Sequence, residues 1–209
     1  TFSLAEESWD QKGVTVGARL KKAVVPTMMV TLPALLLTTI ISISVGLISA
    51  FFRGRPIDRV LVLIAVFGMC ISFLVYIIFG QYFGAYWLSR EYSIHAFAIH
   101  GYEPGVANWA HYCLLPVLIS LIVSMGYDTR FYRAVMVEES EKDYITTARA
   151  KGVGKNRIMF VHMLKNAMIP IVTRISISLP FLITGSILLE QFFGIPGMGQ
   201  TLILAVNSM

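Results

Sequence analysis

An all-α, polytopic bundle of membrane helices is the fold class this sequence predicts, and three observations predict it. The 209 residues are 56% hydrophobic and 14% charged, with a mean hydropathy of +0.70, whereas a soluble domain is about one quarter charged. The apolar residues gather into four long stretches that carry almost no charge. The cations fall mainly in two of the turns between them, the asymmetry expected of a chain that crosses a bilayer repeatedly.

In chain order, residues 14–23 mix charges with apolar positions and read as an interfacial amphipathic segment. Residues 1–23 are therefore expected to form an extracytoplasmic or interfacial part, with a transmembrane domain from 24 to 209. Residues 24–52 carry no charge. As a helix rising about 1.5 Å per residue they exceed the ~30 Å hydrocarbon layer. Pro26 and Pro33 predict that this helix is kinked or starts late. Residues 60–89 form a second uncharged span. A third runs over 113–127, with an apolar face continuing past Arg130, and a fourth covers 167–189, interrupted only by Arg174. Beyond Glu190, glycine and proline are too frequent for a regular helix, and 202–206 is too short to cross. Residues 192–209 are thus expected as a loop or half-buried hairpin, covered by protein if it lies at membrane depth.

The turn 53–59 holds Arg53, Arg55 and Arg59, and residues 130–165 hold Arg130, Arg133, Lys142, Arg149, Lys151, Lys155, Arg157 and Lys165. These eleven cations share one side. Lys12, Arg19, Lys21, Lys22 and Arg90 make five on the other. The bias assigns both basic turns to the cytoplasm, and the loop 84–112 and both chain ends to the outside. Lys21 and Lys22, just before the first span, pull mildly the other way. Cys70 and Cys113 sit in or beside apolar runs, which favours packing over a disulfide. The chain opens on Thr1 and stops abruptly at Met209, so further segments of a longer protein are expected at both ends.

Residues 138–170 form a charged block that reads as helix, glycine break, helix. Asp143 suits the start of a helix over 144–151, Gly152 and Gly154 break it, and Ile158, Val161, Leu164 and Met168 line one face of the next helix. Thr146, Thr147, Ala148 and Ala150 leave the first helix thin enough to enter a groove on another protein. A solvated, membrane-tethered loop with no partner fits charge and periodicity equally well.

The residues themselves add more. Asp143-Tyr144-Ile145-Thr146-Thr147-Ala148-Arg149-Ala150-Lys151-Gly152, followed by His162-Met163-Leu164-Lys165-Asn166-Ala167 and Pro170, resembles the EAA loop of ABC importer permeases. Thr146, Thr147 and Ala148 occupy the first three places, Gly152 the glycine, and His162, Leu164 and Lys165 the later ones. Thr for Glu and Lys for Pro depart from the general pattern and look like the dipeptide/oligopeptide/nickel branch. Leu115-Pro116, the run from Arg130 to Ala134, and the run from Glu190 to Gly199 also match that branch. The resemblance covers roughly residues 31–205.

That resemblance implies a type I importer transmembrane domain of about six spans, four or more of them present here, in a bacterial or archaeal cytoplasmic (inner) membrane. It implies a second permease subunit completing the pore, two cytoplasmic ATPase subunits each receiving one EAA loop (about 138–165), and an extracytoplasmic substrate-binding protein. ATP and Mg belong to the ATPases; this chain is expected to bind no cofactor, metal or nucleic acid. It lacks the G-x-x-x-x-G-K-[ST] run of a nucleotide site and is not expected to be an enzyme. The implied coupling residues are Asp143, Tyr144, Thr146, Thr147, Ala148, Arg149, Ala150, Lys151 and Gly152. Of these, Ala148 and Gly152 provide the fit, while Tyr144, Arg149 and Lys151 form the rim. Relatives in this branch handle peptides, nickel chelates, glutathione and oligosaccharides, and selectivity resides largely in the binding protein.

Other ionisable groups near lipid are read by position. Asp128 and Arg130 are expected to pair locally or to snorkel. Arg174 is a candidate for the translocation path or an inter-subunit contact. Glu190 either meets a ligand amino group at the outer gate, which places it on the same path, or caps the glycine-rich segment. His95, His100, His111 and Glu103 share the outer loop at irregular spacing, better suited to anchoring or docking than to a metal. Gly80 and Gly84 make a small-xxx-small pair. The rival reading is a secondary transporter or channel subunit without an ATPase, which calls for polar or charged side chains inside spans that here hold almost none. An intramembrane enzyme would need paired catalytic groups, and none stand out.

Overall fold

Helix α1 runs unbroken from Val16 to Phe51 in the computed structural model, with Pro26 and Pro33 inside it. The structure describes residues 7–8, 11–92, 97–184 and 186–207. A proline removes one helical N–H and leaves the carbonyl four residues earlier without its donor. For Pro33 that carbonyl is Met29, and Trp109 Nε1 donates to it at 2.9 Å. The helix continues because a side chain supplies the missing bond, not because it starts late. Trp109→Phe keeps an aromatic ring, smaller than the indole, and deletes the donor. It should destabilise the protein by ~1–3 kcal/mol, from a partly buried acceptor left alone together with the volume the smaller ring gives up. Thermal melting of the purified full-length protein reads this out, and an unshifted melt would show that the bond contributes nothing.

Two short antiparallel strands, β1 (Glu7–Ser8) and β2 (Gln11–Thr15), precede α1. Because α1 begins at Val16, the expected interfacial stretch 14–23 becomes mostly its first turns, and the expected boundary at 23 falls inside one helix. Helix α2 spans Pro56–Cys70, with proline at its first position and the turn before it closed by Gly54 at φ 80. The second uncharged stretch is then broken, since Ile71 is extended (φ −88, ψ 131). Helix α3 (Phe73–Gly80), the π-helix π1 (Gln81–Trp87) and α4 (Leu88–Tyr92) follow.

Helix α5, Val106–Ser140, begins well before the expected third span. Next come α6 (Asp143–Ala150), α7 (Lys155–Arg157), a second π-helix, π2 (Ile158–Met163), and α8 (Leu164–Thr184). The fourth span is shifted toward the N-terminus, ending at Thr184 rather than at 189. Residues 192–207, expected within a loop or half-buried hairpin, are mostly helical. Helix α9 (Ile187–Phe193) and α10 (Met198–Asn207) meet at an 86° bend. Glycine and proline are confined to the elbow and the start of α10, where Gly194 at φ 66 closes α9. Among the described residues three helices are long and apolar enough to cross a membrane, or five crossings if each of two broken helix pairs counts as one.

The chain forms two compact units. One takes the chain up to Leu35, Phe73–Ser120 and the part from Leu179 onward; the other takes Leu36–Ser72 and Leu121–Ser178. In the first, Val30, Ile77, Val117, Leu189 and Phe193 are buried together. A Cβ on Gly80 would strike Ile119 and one on Gly84 would strike Leu115, so this small-residue pair is where α3 and π1 approach α5. In the second, Leu47, Tyr132, Met136, Ile145, Met163, Ala167 and Ile171 form the core.

Candidate functional site

The charged block is built as its sequence predicts at one end and differently at the other. Helix α6 starts within a residue of the expected place, with Asp143 in its first turn, where a carboxylate favours the N-terminal dipole. It closes through Gly152 N to Arg149 O (2.9 Å) and Val153 N to Ala148 O (3.1 Å), which Gly152 permits at φ +77. Ile145 (0% exposed) and Ala148 (8% exposed) point into the core of their own unit. Ala148, expected to help form the fit to a partner, lies on the buried side of α6. The residues left outward are Asp143, Thr146, Thr147 and Ala150, spaced i, i+3, i+4 and i+7 on one face, three of them small. Arg149, Lys151 and Gly152 are exposed at its edge. Tyr144 Oη donates to Glu139 Oε2 at 2.6 Å. Burial, reinforced by that carboxylate, raises the phenol's pKa, so the hydroxyl stays a donor.

The arm beyond Gly152 does not bury the expected face. Ile158 is buried, but Val161 is half exposed and Met168 is also exposed, while Met163, Ala167 and Ile171 are buried. The cause is π2, which carries an extra residue per turn. Burial therefore passes from Ile158 to Met163, five positions on, before resuming a spacing of four.

Sequence reasoning missed the strongest polar contact. Asp58, 4% exposed, receives Arg133 Nε on Oδ1 at 2.7 Å and the terminal guanidinium nitrogen on Oδ2 at 2.8 Å. Ser49 Oγ (2.5 Å) and Gly54 N (3.0 Å) complete its shell. One carboxylate thus ties the end of α1, the following turn, α2 and α5. The available signal was a lone acid amid three arginines in 53–59.

Asp128 pairs with Arg174 (3.3 Å), not with Arg130, whose guanidinium lies 3.5 Å from Met69 Sδ. Residues two apart on a helix face different ways, which excludes the local pair. Arg174 also lies 5.6 Å from the Phe131 ring. Glu190, 2% exposed, accepts from Thr27 Oγ1 (2.8 Å), Gly199 N (2.7 Å) and Gln200 N (3.1 Å). It caps α10, whose first N–H groups have no helical partner. A solute does not reach that carboxylate in this conformation.

His95 lies outside the described residues. His100 Nδ1 is 3.2 Å from the Phe192 carbonyl, and His111 stands edge-on to Tyr112 in α5. Among the described residues no three metal-ligating side chains gather.

The family described as the binding-protein-dependent transport system inner membrane component matches residues 42–209. This chain belongs to that family. Among curated relatives, the glutathione transport system permease protein GsiC of Shigella flexneri serotype 5b, of Shigella boydii serotype 4 and of Escherichia coli K12 are each 35% identical over 184 residues. The matches cover 87% of this chain and 56% of each relative, so the chain spans about half the length of the curated relatives it matches. An inner-membrane transport component accounts for the apolar multi-helix architecture. The family's description and the relatives' names are those of membrane components of transport systems.

Proposed function

We propose that this chain is the permease subunit of an ATP-driven, binding-protein-dependent importer of peptides or similar small ligands, supplying half of a translocation pore. The observation that carries the reading is the two-sidedness of α6. Its apolar face is fixed in the core through Ile145 and Ala148, while Asp143, Thr146, Thr147 and Ala150 are offered outward. A helix held on one side and small on the other can seat in a groove and pass force inward, because Ile145 shares its core with α1, α5 and α8.

On this reading two cytoplasmic ATPase subunits each receive one such loop (about 138–165 in the permease domain 24–209), with Tyr144, Lys151 and Gly152 at the rim. The excess of cations, eleven against five, supports a cytoplasmic position for the loop. A second permease subunit closes the pore, an extracytoplasmic binding protein delivers the ligand, and ATP with Mg stays on the ATPases. Glutathione, named for the relatives, is a tripeptide, which supports the peptide class. Arg174 borders the path, and Glu190 shapes it through the α9–α10 elbow.

Affinity purification of the tagged full-length chain in mild detergent is expected to bring down an ATP-binding subunit. A chain that purifies without one, and transports in its absence, supports the secondary-transporter reading instead.

A further inference from the structure

A cavity of about 300 Å³ opens beside α6, between the end of α1 and the arm formed by α7 and π2. Its charged lining is three cations, Arg53, Arg149 and Lys155, against one carboxylate, Glu141. Glu141 is already taken by Arg53 at 2.5 Å. Lys155 Nζ donates to the Phe51 carbonyl at 3.2 Å and lies 3.9 Å from the centre of the Phe51 ring, and no carboxylate among the described residues pairs with it. Arg149 has no carboxylate partner among the described residues. The rest of the wall is apolar, including Phe51, Ile145 and Met163.

Two unneutralised cations above an apolar floor select an amphiphile with an anionic head. A free phosphate, or the acidic side chain of a partner protein, would answer the charge but leave the floor in water. The site also lies where lipid is expected. The elements that line it turn Ile48, Phe160 and Val161 outward, all about half exposed, and α1 and the Lys155–Pro180 helix are long and apolar enough to span. Charged side chains beside such a surface meet headgroups.

We propose that this cavity binds the phosphodiester headgroup of an anionic phospholipid, with its first acyl carbons on the apolar floor. Arg149 and Lys155 hold the phosphate oxygens, and Arg53, oriented by Glu141, adds to the field. The bound lipid pins α1, α6 and π2 to one another. This site rests on the membrane-embedded family alone, and holds whether or not α6 docks an ATPase.

The test uses the full-length permease purified with its partner subunits from nanodiscs of equimolar phosphatidylglycerol and phosphatidylethanolamine, with native mass spectrometry counting retained lipids. Phosphatidylglycerol should be retained in preference to phosphatidylethanolamine. Lys155→Gln, which keeps a donor for the Phe51 carbonyl, should reduce that preference roughly fivefold, the weight of one cation near the headgroups. Lys155→Arg should restore it. Equal retention of both lipids by the parent overturns the proposal without any variant. So does full phosphatidylglycerol preference in Lys155→Gln. Displacement of the lipid by inorganic phosphate would assign the site to a free anion. Binding only after the ATPase is stripped away would assign it to the partner's acidic side chain. Either result ends the lipid reading.

Discussion

Gly152→Asp should leave the full-length protein inserted at near-parental levels while abolishing transport and ligand-stimulated ATP hydrolysis. The folded chain has room for the side chain, because a Cβ at this position meets nothing within 4 Å. Its backbone, at φ +77, costs a non-glycine residue about 1–2 kcal/mol, and aspartate is among the residues that tolerate this region best. That loss is small beside the ~5–15 kcal/mol that holds a domain together. The effect at a docked interface is different. The carboxylate would stand at the C-terminal end of α6, where the helix dipole disfavours an anion, at the edge of the proposed docking face. An unpaired charge buried at an interface costs about 2–5 kcal/mol. Gly152→Asn is the control, with nearly the same volume and backbone cost but no charge. It should keep most of the activity. Protein level, transport and ATPase stimulation measured on all three forms decide the matter. Normal transport in Gly152→Asp would remove α6 from the coupling path, and a loss of protein in both variants would trace the effect to folding.

The sequence displayed α6 clearly because every local signal there agrees. An acid opens the helix, small residues fill it, and Gly152 adopts the backbone that only a turn residue takes readily. The membrane class was equally plain, since composition is insensitive to where helices break. What could not be read were features set by contacts distant in the chain. Pro33 sits inside a continuous helix because Trp109 reaches the orphaned Met29 carbonyl from 80 positions away. No local rule supplies that donor. The face beyond Gly152 departs from the helical period of 3.6 because π2 adds a residue. Its Ile-Met-Phe-Val-His-Met run carries no glycine or proline to announce the change. The elbow after Glu190 misled in the opposite way, as glycine and proline advertised irregularity throughout. In fact Glu190 collects the free N–H groups that begin α10 and makes a helix possible there. Asp128 found Arg174, 46 positions on, by the same kind of long-range choice.

Removing one member of the Asp58–Arg133 pair should cost more than any other single polar substitution in this chain. The pair is bidentate, at 2.7 and 2.8 Å, with Asp58 4% exposed. The Asp128–Arg174 pair touches a single carboxylate oxygen at 3.3–3.4 Å, with the arginine side chain 39% exposed, and should contribute no more than about 1 kcal/mol. Asp58→Ala leaves a guanidinium that is 26% exposed without its counter-ion, and strips Ser49 Oγ and Gly54 N of their acceptor. Breaking a buried pair in this way costs about 3–5 kcal/mol. Because Arg133 retains some access to solvent, the lower end applies. Arg133→Met should approach the same loss from the other side, leaving the carboxylate alone in the more buried position. The double variant Asp58→Leu/Arg133→Met removes both charges and fills their volume. It should be more stable than either single variant, since an apolar replacement of a buried pair is often close to neutral. Melting temperatures of the four purified full-length proteins close the cycle, with an interaction term of at least about 1 kcal/mol expected for groups in contact. If the two single losses simply add in the double variant, the pair is not a joint but two unrelated side chains. The end of α1, the turn, α2 and α5 would then be held by apolar packing alone.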